Sequence, residues 1–291
     1  MLLDFVKTKE LAPGECQSFT RTIDWNLIAS YDDTGASGYA HAWVLEAGTY
    51  EFYLGNNVRD AVSIYLCERT ETMCVKQCEE ACAPELPFKR MVNRNGAVVY
   101  EAVPLRTVDK RTRILSNLPD EIPVTGDKGY LLSDVKAGKI SMDDFVAQLS
   151  VDELEAVSRG TLEGMGSSLG AEGNAGVFGG TEKSLREKGV PCICTNDGPS
   201  GVRLRAHTTL MPNGVALAST FNEELVTALT KELGKEVRDR GSMVLLAPGM
   251  NIHRHPLCGR NFEYFSEDPV LRKTIGRKWS VVQQDCTKLG E

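Results

Sequence analysis

Two short apolar runs, VPCICT at residues 190–195 and MVLLA at residues 243–247, each end abruptly in a polar loop, with an amphipathic stretch at residues 222–241 between them. Runs this short and without alternation suit strands covered on both faces, as in parallel sheets. The intervening stretch places Leu225, Val226, Leu229, Leu233 and Val237 on one side of a helix and stops at Gly241. Strand, loop, helix, strand, loop is the rhythm of a parallel sheet or a (β/α) barrel. In such folds the loops at the carboxyl ends of the strands carry the chemistry.

Upstream the pattern changes. Ser141 with Asp144, and Ser150 with Glu153, form two capping boxes ahead of Phe145, Val146, Leu149, Leu154 and Val157. The glycine-rich residues 160–180 follow a helix and not a strand, so they form no nucleotide fingerprint and are expected to be a surface loop. Residues 16–23, 42–46, 49–54 and 61–66 read as short strands separated by Gly, Asn and Asp, which predicts a small β-sandwich. Residues 82–126 contain Pro84, Pro87, Pro104, Pro119 and Pro123 and no sustained period, the pattern of a connector. The expected organisation is therefore a β-sandwich over residues 1–90, a linker over 91–130 and an α/β region over 131–291.

A net charge of -7 and a pI near 5.3 argue against a nucleic-acid partner or an anionic membrane surface. No apolar run approaches the roughly 18 residues a bilayer requires, and the opening MLLDFVKTKE builds no signal-like apolar core. Nine cysteines, an odd number, in a chain this long fit a reduced, cytoplasmic setting. Cys74, Cys78 and Cys82 would share one face of a helix, but no fourth ligand accompanies them. We expect small thiols there, with no metal and no cofactor.

The two loops hold the candidate residues. Asp197, directly after the first strand, either caps an Asp-Gly-Pro turn or grips a ligand, and Arg203 six residues on could complete a pocket that accepts from and donates to sugar hydroxyls. The second loop carries His253, His255, Arg254, Arg260, Glu263 and Tyr264, too many charges for a solvent connection, so part of it must be buried and paired. His253 and His255 lack a third ligand, which argues against metal. Ser266 is the expected cap of a following helix, with Glu267 and Asp268 in its first turn.

The stretches DGPSGVR (197–203), MPNGVALASTFN (211–222), LAPGMNIHR (246–254) and GRNFEYFSEDP (259–269) resemble the first part of the barrel domain of glycoside hydrolase family 3, the β-glucosidase and β-xylosidase family. SYDD (30–33), VLEAGTY (44–50) and GNNVRD (55–60) are similar to that family's fibronectin type III-like module. The module preceding the barrel matches the circularly rearranged members. The resemblance implies a fibronectin type III-like β-sandwich followed by the N-terminal part of a (β/α)8 TIM-type barrel, about three of its eight strands, and so an incomplete and poorly stable piece.

It also implies a retaining hydrolase acting on a β-linked oligosaccharide or glycoside through two carboxyl groups. Asp197 would hold sugar hydroxyls, with Arg203 and Arg260 as donors. His253, His255, Glu263 and Tyr264 would support the subsite wall, although His255 stands where the family commonly has Asn. No catalytic residue is assigned: the nucleophile is expected downstream of Glu291 and the acid/base upstream of Met1. The 291-residue chain alone is thus expected to be inactive, and the missing remainder of the enzyme is its expected partner. The alternative is a non-catalytic carbohydrate-binding or subunit-like protein; a thiol-metal protein built on Cys74, Cys78 and Cys82 is a third reading.

Overall fold

The computed structural model describes residues 1–81, 83–161 and 166–287. The chain divides into two compact units, residues 20–120 and residues 1–19 together with 121–291.

In the first unit the strands are β1 (Ser30–Asp32), β2 (Ala42–Leu45), β3 (Gly48–Leu54), β4 (Val62–Arg69), β5 (Met73–Gln77), β6 (Lys89–Arg94) and β7 (Ala97–Ala102), followed by helix α1 (Lys110–Ser116). They pair antiparallel as a β1-β2-β5 sheet and as β3-β4 and β6-β7 hairpins. A register shift between Trp43 and Val44 lets two consecutive residues, Val44 and Leu45, both turn inward beside Ala42. Polar staples do much of the rest. Asp32 accepts the N–H groups of Thr34 (2.9 Å), Gly35 (2.8 Å) and Ser37 (2.7 Å), which close the turn after β1. Buried Glu80 accepts from the Thr107 N–H (3.0 Å) and hydroxyl (2.6 Å), tying the chain after β5 to the entry of α1.

Three expectations change here. Residues 16–23 pair with no described strand, because alternation yields a strand only where a neighbour supplies complementary N–H and C=O groups. The 91–130 linker is part structure: β6 and β7 close on Asn95-Gly96, both at positive φ (53° and 85°), the two-residue turn that matches strand twist. Cys74 lies on strand β5, with Cys78 just beyond it, so they do not share a helical face; Cys82 lies outside the described residues.

The second unit begins with α2 (Leu132–Lys136), α3 (Met142–Ala147) and α4 (Val151–Arg159). Both expected capping boxes form, Ser141 with Asp144 and Ser150 with Glu153. Phe145, Leu149, Ala156 and Leu185 make one buried cluster. Beside it, buried Glu153 meets Lys188 Nζ at 2.8 Å, and Lys188 also reaches Asp127 at 3.1 Å. Burial works against the Glu153 charge, yet the bonds from Lys188 and the Ser150 N–H hold its carboxyl below the usual range.

The sheet follows, with β8 (Gly176–Gly179), α5 (Lys183–Glu187), β9 (Cys192–Asp197), α6 (Gly214–Ser219), α7 (Glu223–Asp239), β10 (Val244–Leu246) and α8 (Pro269–Thr287). Its order is β10-β9-β8. β10 runs parallel to β9, as the sequence rhythm requires, whereas β8 runs antiparallel. The glycine run read as a surface loop therefore supplies an edge strand. Its glycines permit close backbone approach: a Cβ at Gly179 would stand 2.5 Å from the Pro191 carbonyl oxygen.

Asn222 caps α7 by accepting the Leu225 N–H at 3.0 Å. The inward face is Val226, Thr230, Leu233, Gly234 and Val237, so the stripe is rotated from the expected one and Leu225 is exposed. Thr230 fits inside because its hydroxyl donates to the Val226 carbonyl at 2.8 Å. These residues join Val202, Leu217, Leu245, Phe265 and Ile275 in the larger core. Asp268, and not Ser266, caps α8: its carboxylate accepts the N–H groups of Val270 (2.8 Å) and Leu271 (3.2 Å), with Pro269 at the first helical position. The Asp268 carboxylate also takes the Leu2 N–H at 3.0 Å, and the Phe5 ring meets Phe221 edge-on, so the first residues pack with this unit.

Candidate functional site

Asp197 is the last residue of β9, opposite Leu246 of β10, so it sits at the carboxyl end of the central strand. Its carbonyl accepts the Arg203 N–H at 2.8 Å, closing the turn, while one carboxylate oxygen takes the Gly198 N–H at 3.0 Å. Asp197 thus caps its own turn, and its other carboxylate oxygen stands 3.7 Å from an Arg203 guanidinium nitrogen. The turn is tight, since a Cβ at Gly198 would meet the Gly201 carbonyl oxygen at 2.2 Å. Beneath it, fully buried Asn196 reaches the Arg203 carbonyl at 3.4 Å.

A cavity of about 550 Å³ opens here, with Asp197, Arg203 and Arg205 on one side and Ser167, Glu172 and Asn174 on another. Asn174 is buried and satisfied at both ends. Its amide donates to the carbonyls of Ser167 (2.7 Å) and Ala171 (2.8 Å), and its oxygen accepts the Ser167 N–H (3.0 Å). Sequence reasoning missed Ser167, Glu172, Asn174 and Arg205. The available signal was the single Asn within the glycine run just before a short strand, and an arginine two residues after Arg203.

The loop after β10 is partly buried, as its charge requires. Glu263 is buried and bonds Arg260, which raises the arginine's affinity for its proton, and the Asp197 carboxylate adds a smaller contribution. Tyr264 packs against Gly249, where a Cβ would come within 2.9 Å of its ring. His253 contacts the Tyr264 carbonyl through Nε2 at 3.2 Å and donates its backbone N–H to the Ser266 carbonyl at 3.2 Å, pinning the loop back on itself. His255 is exposed and organises its own turn, accepting the Leu257 N–H at Nδ1 (3.1 Å) and the Asn261 amide at its carbonyl (2.9 Å). The structure thus brings Asp197 and Arg203 together at the cavity, while Arg260 is paired with Glu263 on the loop after β10. Glu263 holds Arg260, His253 and Tyr264 meet through the Tyr264 carbonyl, and His255 lies exposed on the loop.

The arrangement is a carboxylate beside guanidinium groups at the carboxyl end of a parallel strand pair, suited to neutral ligands with adjacent hydroxyls. Residues 170–285 match the glycosyl hydrolase family 3 N terminal domain, and residues 1–58 match the fibronectin type III-like domain. Residues 170–285 thus carry a match to the N-terminal domain of glycoside hydrolase family 3. The chain is 50% identical over 277 residues to a beta-glucosidase of Ruminococcus albus, covering 94% of this chain and 29% of that protein. With beta-glucosidase A of Butyrivibrio fibrisolvens it shares 34% identity over 300 residues, which is 92% of this chain and 34% of the relative. The solved beta-glucosidase of Paenibacillus barengoltzii aligns with a TM-score of 0.82 at 42% identity, over 91% of this chain and 30% of that one. The chain therefore spans about a third or less of the length of these relatives.

Proposed function

We propose that this chain supplies the sugar-gripping part of a β-glucosidase-type glycoside hydrolase. Asp197 would accept from hydroxyls of a terminal β-linked glucosyl or xylosyl residue, with Arg203 and Arg260 donating to the same ring. The observation that carries this reading is the placement of Asp197 at the end of β9, in the cavity, with Arg203 at 3.7 Å. The sheet β10-β9-β8 with its α6–α7 crossover would be one wall of a TIM-type barrel. The odd cysteine count supports a cytoplasmic setting.

Retaining hydrolysis needs a second carboxyl group about 5 to 5.5 Å from the first, across the scissile bond. Among the described residues lining the cavity the other carboxylate is Glu172, and Arg205 engages it at 3.2 Å. We therefore assign binding, and not bond cleavage, to the chain by itself. Calorimetry should show glucose binding that Asp197→Ala abolishes, with no release of phenol from an aryl β-glucoside. Aryl glucoside hydrolysis by the purified chain, lost in Asp197→Ala, would overturn the second half of the reading. Glucose binding unchanged in that variant would overturn the first.

A further inference from the structure

Residues 1–19 form no helix and no strand, yet Leu2 and Phe5 pack against the larger core of the α/β unit. A segment with no ladder or helix of its own is held only by what it touches. At one end the Leu2 N–H donates to Asp268 Oδ2 at 3.0 Å, the oxygen left over once Oδ1 has capped α8. At the other, Lys7 Nζ donates to the carbonyl of Thr220, the C-cap of α6, at 3.2 Å. Between these two bonds the Phe5 ring stands edge-on to Phe221, with centroids 5.4 Å apart. Residues 2–7 therefore lie in a groove that runs from the α6–α7 corner to the start of α8.

The floor of the groove presents an aromatic ring. Phe221 joins α6 to α7 at a φ of +48°, a conformation that a bulky side chain keeps only where its surroundings impose it. Its ring is 40% exposed even with Phe5 against it, so an empty groove would leave a strained aromatic facing water. The walls bear on the loop after β10. α6 begins at Gly214, where a Cβ would strike the Glu263 carbonyl oxygen, and α8 begins at Pro269, three residues after the Ser266 carbonyl that takes the His253 N–H. The segment thus ties together two helices that abut the loop carrying Arg260 and Glu263. Its own hold is modest, two half-buried apolar side chains and two hydrogen bonds, which places its opening at the low-energy end of local unfolding.

We propose that this groove is a docking site for a short segment of the pattern Leu-x-x-Phe, filled by residues 2–7 of the chain itself, and that the docked segment is an exchangeable strap that orders the loop between β10 and α8. The inference is independent of the role given to Asp197, and its test contains no sugar. Hydrogen exchange followed by mass spectrometry is compared between the full chain and its Leu2→Ala/Phe5→Ala variant. Amides of residues 214–222 and 262–272 should exchange about tenfold faster in the variant, while those of α4, which belongs to the other apolar cluster, keep their rates and show that the unit is still folded. Phe5→Leu alone, which keeps an apolar side chain and loses the edge-on ring, should fall between. A synthetic peptide of residues 1–10, added to the double variant at about 1 mM, the range of effective concentration that a short tether supplies, should bring the rates back to within about twofold of the unmodified chain. The same peptide carrying Leu2→Ala and Phe5→Ala should not. Unchanged exchange at 262–272 in the double variant overturns the ordering role. Exchange that is accelerated but not restored by the peptide, or restored equally by the substituted peptide, overturns the docking site.

Discussion

The two units solve the same problem with different means. In the α/β unit, helices cover the sheet and produce two apolar clusters, one around Leu233 and Ile275 and the other around Phe145 and Leu185. Among the described residues of the β unit the buried apolar set is Ala42, Val44 and Leu45, while Val62, Ile64 and Leu66 of β4 stay exposed. Antiparallel hairpins bury little on their own, so this unit leans on charged staples: Asp32 in its turn, Glu80 on Thr107, and Arg90 of β6 joining Glu101 of β7 to Asp33 just after β1. Apolar burial is nearly indifferent to pH, whereas carboxylate staples are not.

The largest expected effect follows from that contrast. Burial opposes the Asp32 charge, but the Ser37, Thr34 and Gly35 bonds hold its carboxyl well below the ordinary range; the Thr107 hydroxyl does the same for Glu80, and Arg90 for Glu101. A carboxyl with a depressed folded pKa contributes stability that is fully present above its unfolded value, about 4, and is lost as the pH falls through the folded value. The β unit should therefore lose amide protection as the pH drops from about 4 toward 2, while α7 keeps its own. Hydrogen exchange followed by mass spectrometry, corrected for intrinsic rates, reads this directly. Simultaneous loss in β2 and α7 would break the comparison.

Core truncation comes next. Leu233 and Leu45 are equally hidden, at 1% and 0% exposure, but only Leu233 sits in a large cluster. Leu→Ala changes in cores span about 2 to 5 kcal/mol, set by how well the surroundings collapse. Leu233→Ala should lie near the top of that range and Leu45→Ala near about 2 kcal/mol, as measured by urea unfolding monitored separately in each unit. Equal losses would mean that the β unit packs as densely as the α/β unit.

Much of this contrast was legible beforehand. Capping boxes, the α7 crossover and the β9 and β10 runs are local signals, and they were read at nearly their true bounds. Asp197 and Arg203 are legible as candidates from their position at a strand end, with the turn and the ligand-gripping readings both open on spacing alone. Antiparallel β8 was hidden because glycine has no side chain to show a period, and its strand character lies in the close approach to residues 190 and 191. The Asn95-Gly96 turn was a readable hairpin signal, masked by nearby prolines and isolated charges. The Glu172–Arg205 clasp joins residues 33 apart, and only the fold brings such pairs together.

Glycine substitutions make the finest comparison, because they hold backbone geometry constant and vary only the surroundings. Gly96 and Gly173 share nearly one conformation, φ +85° and +84°, yet a Cβ at Gly96 meets nothing within 4 Å while one at Gly173 would strike the Arg205 nitrogen at 2.6 Å. Gly173→Ala therefore adds a steric push on the clasp to the left-handed penalty and should destabilise by about 2 to 3 kcal/mol. Gly96→Ala carries the conformational term alone, about 1 kcal/mol, the smallest effect in the series. Paired urea titrations decide the matter. If Gly173→Ala costs no more than Gly96→Ala, the 172–174 loop does not bear on residues 203–205, and the cavity mouth is softer than its hydrogen bonds imply.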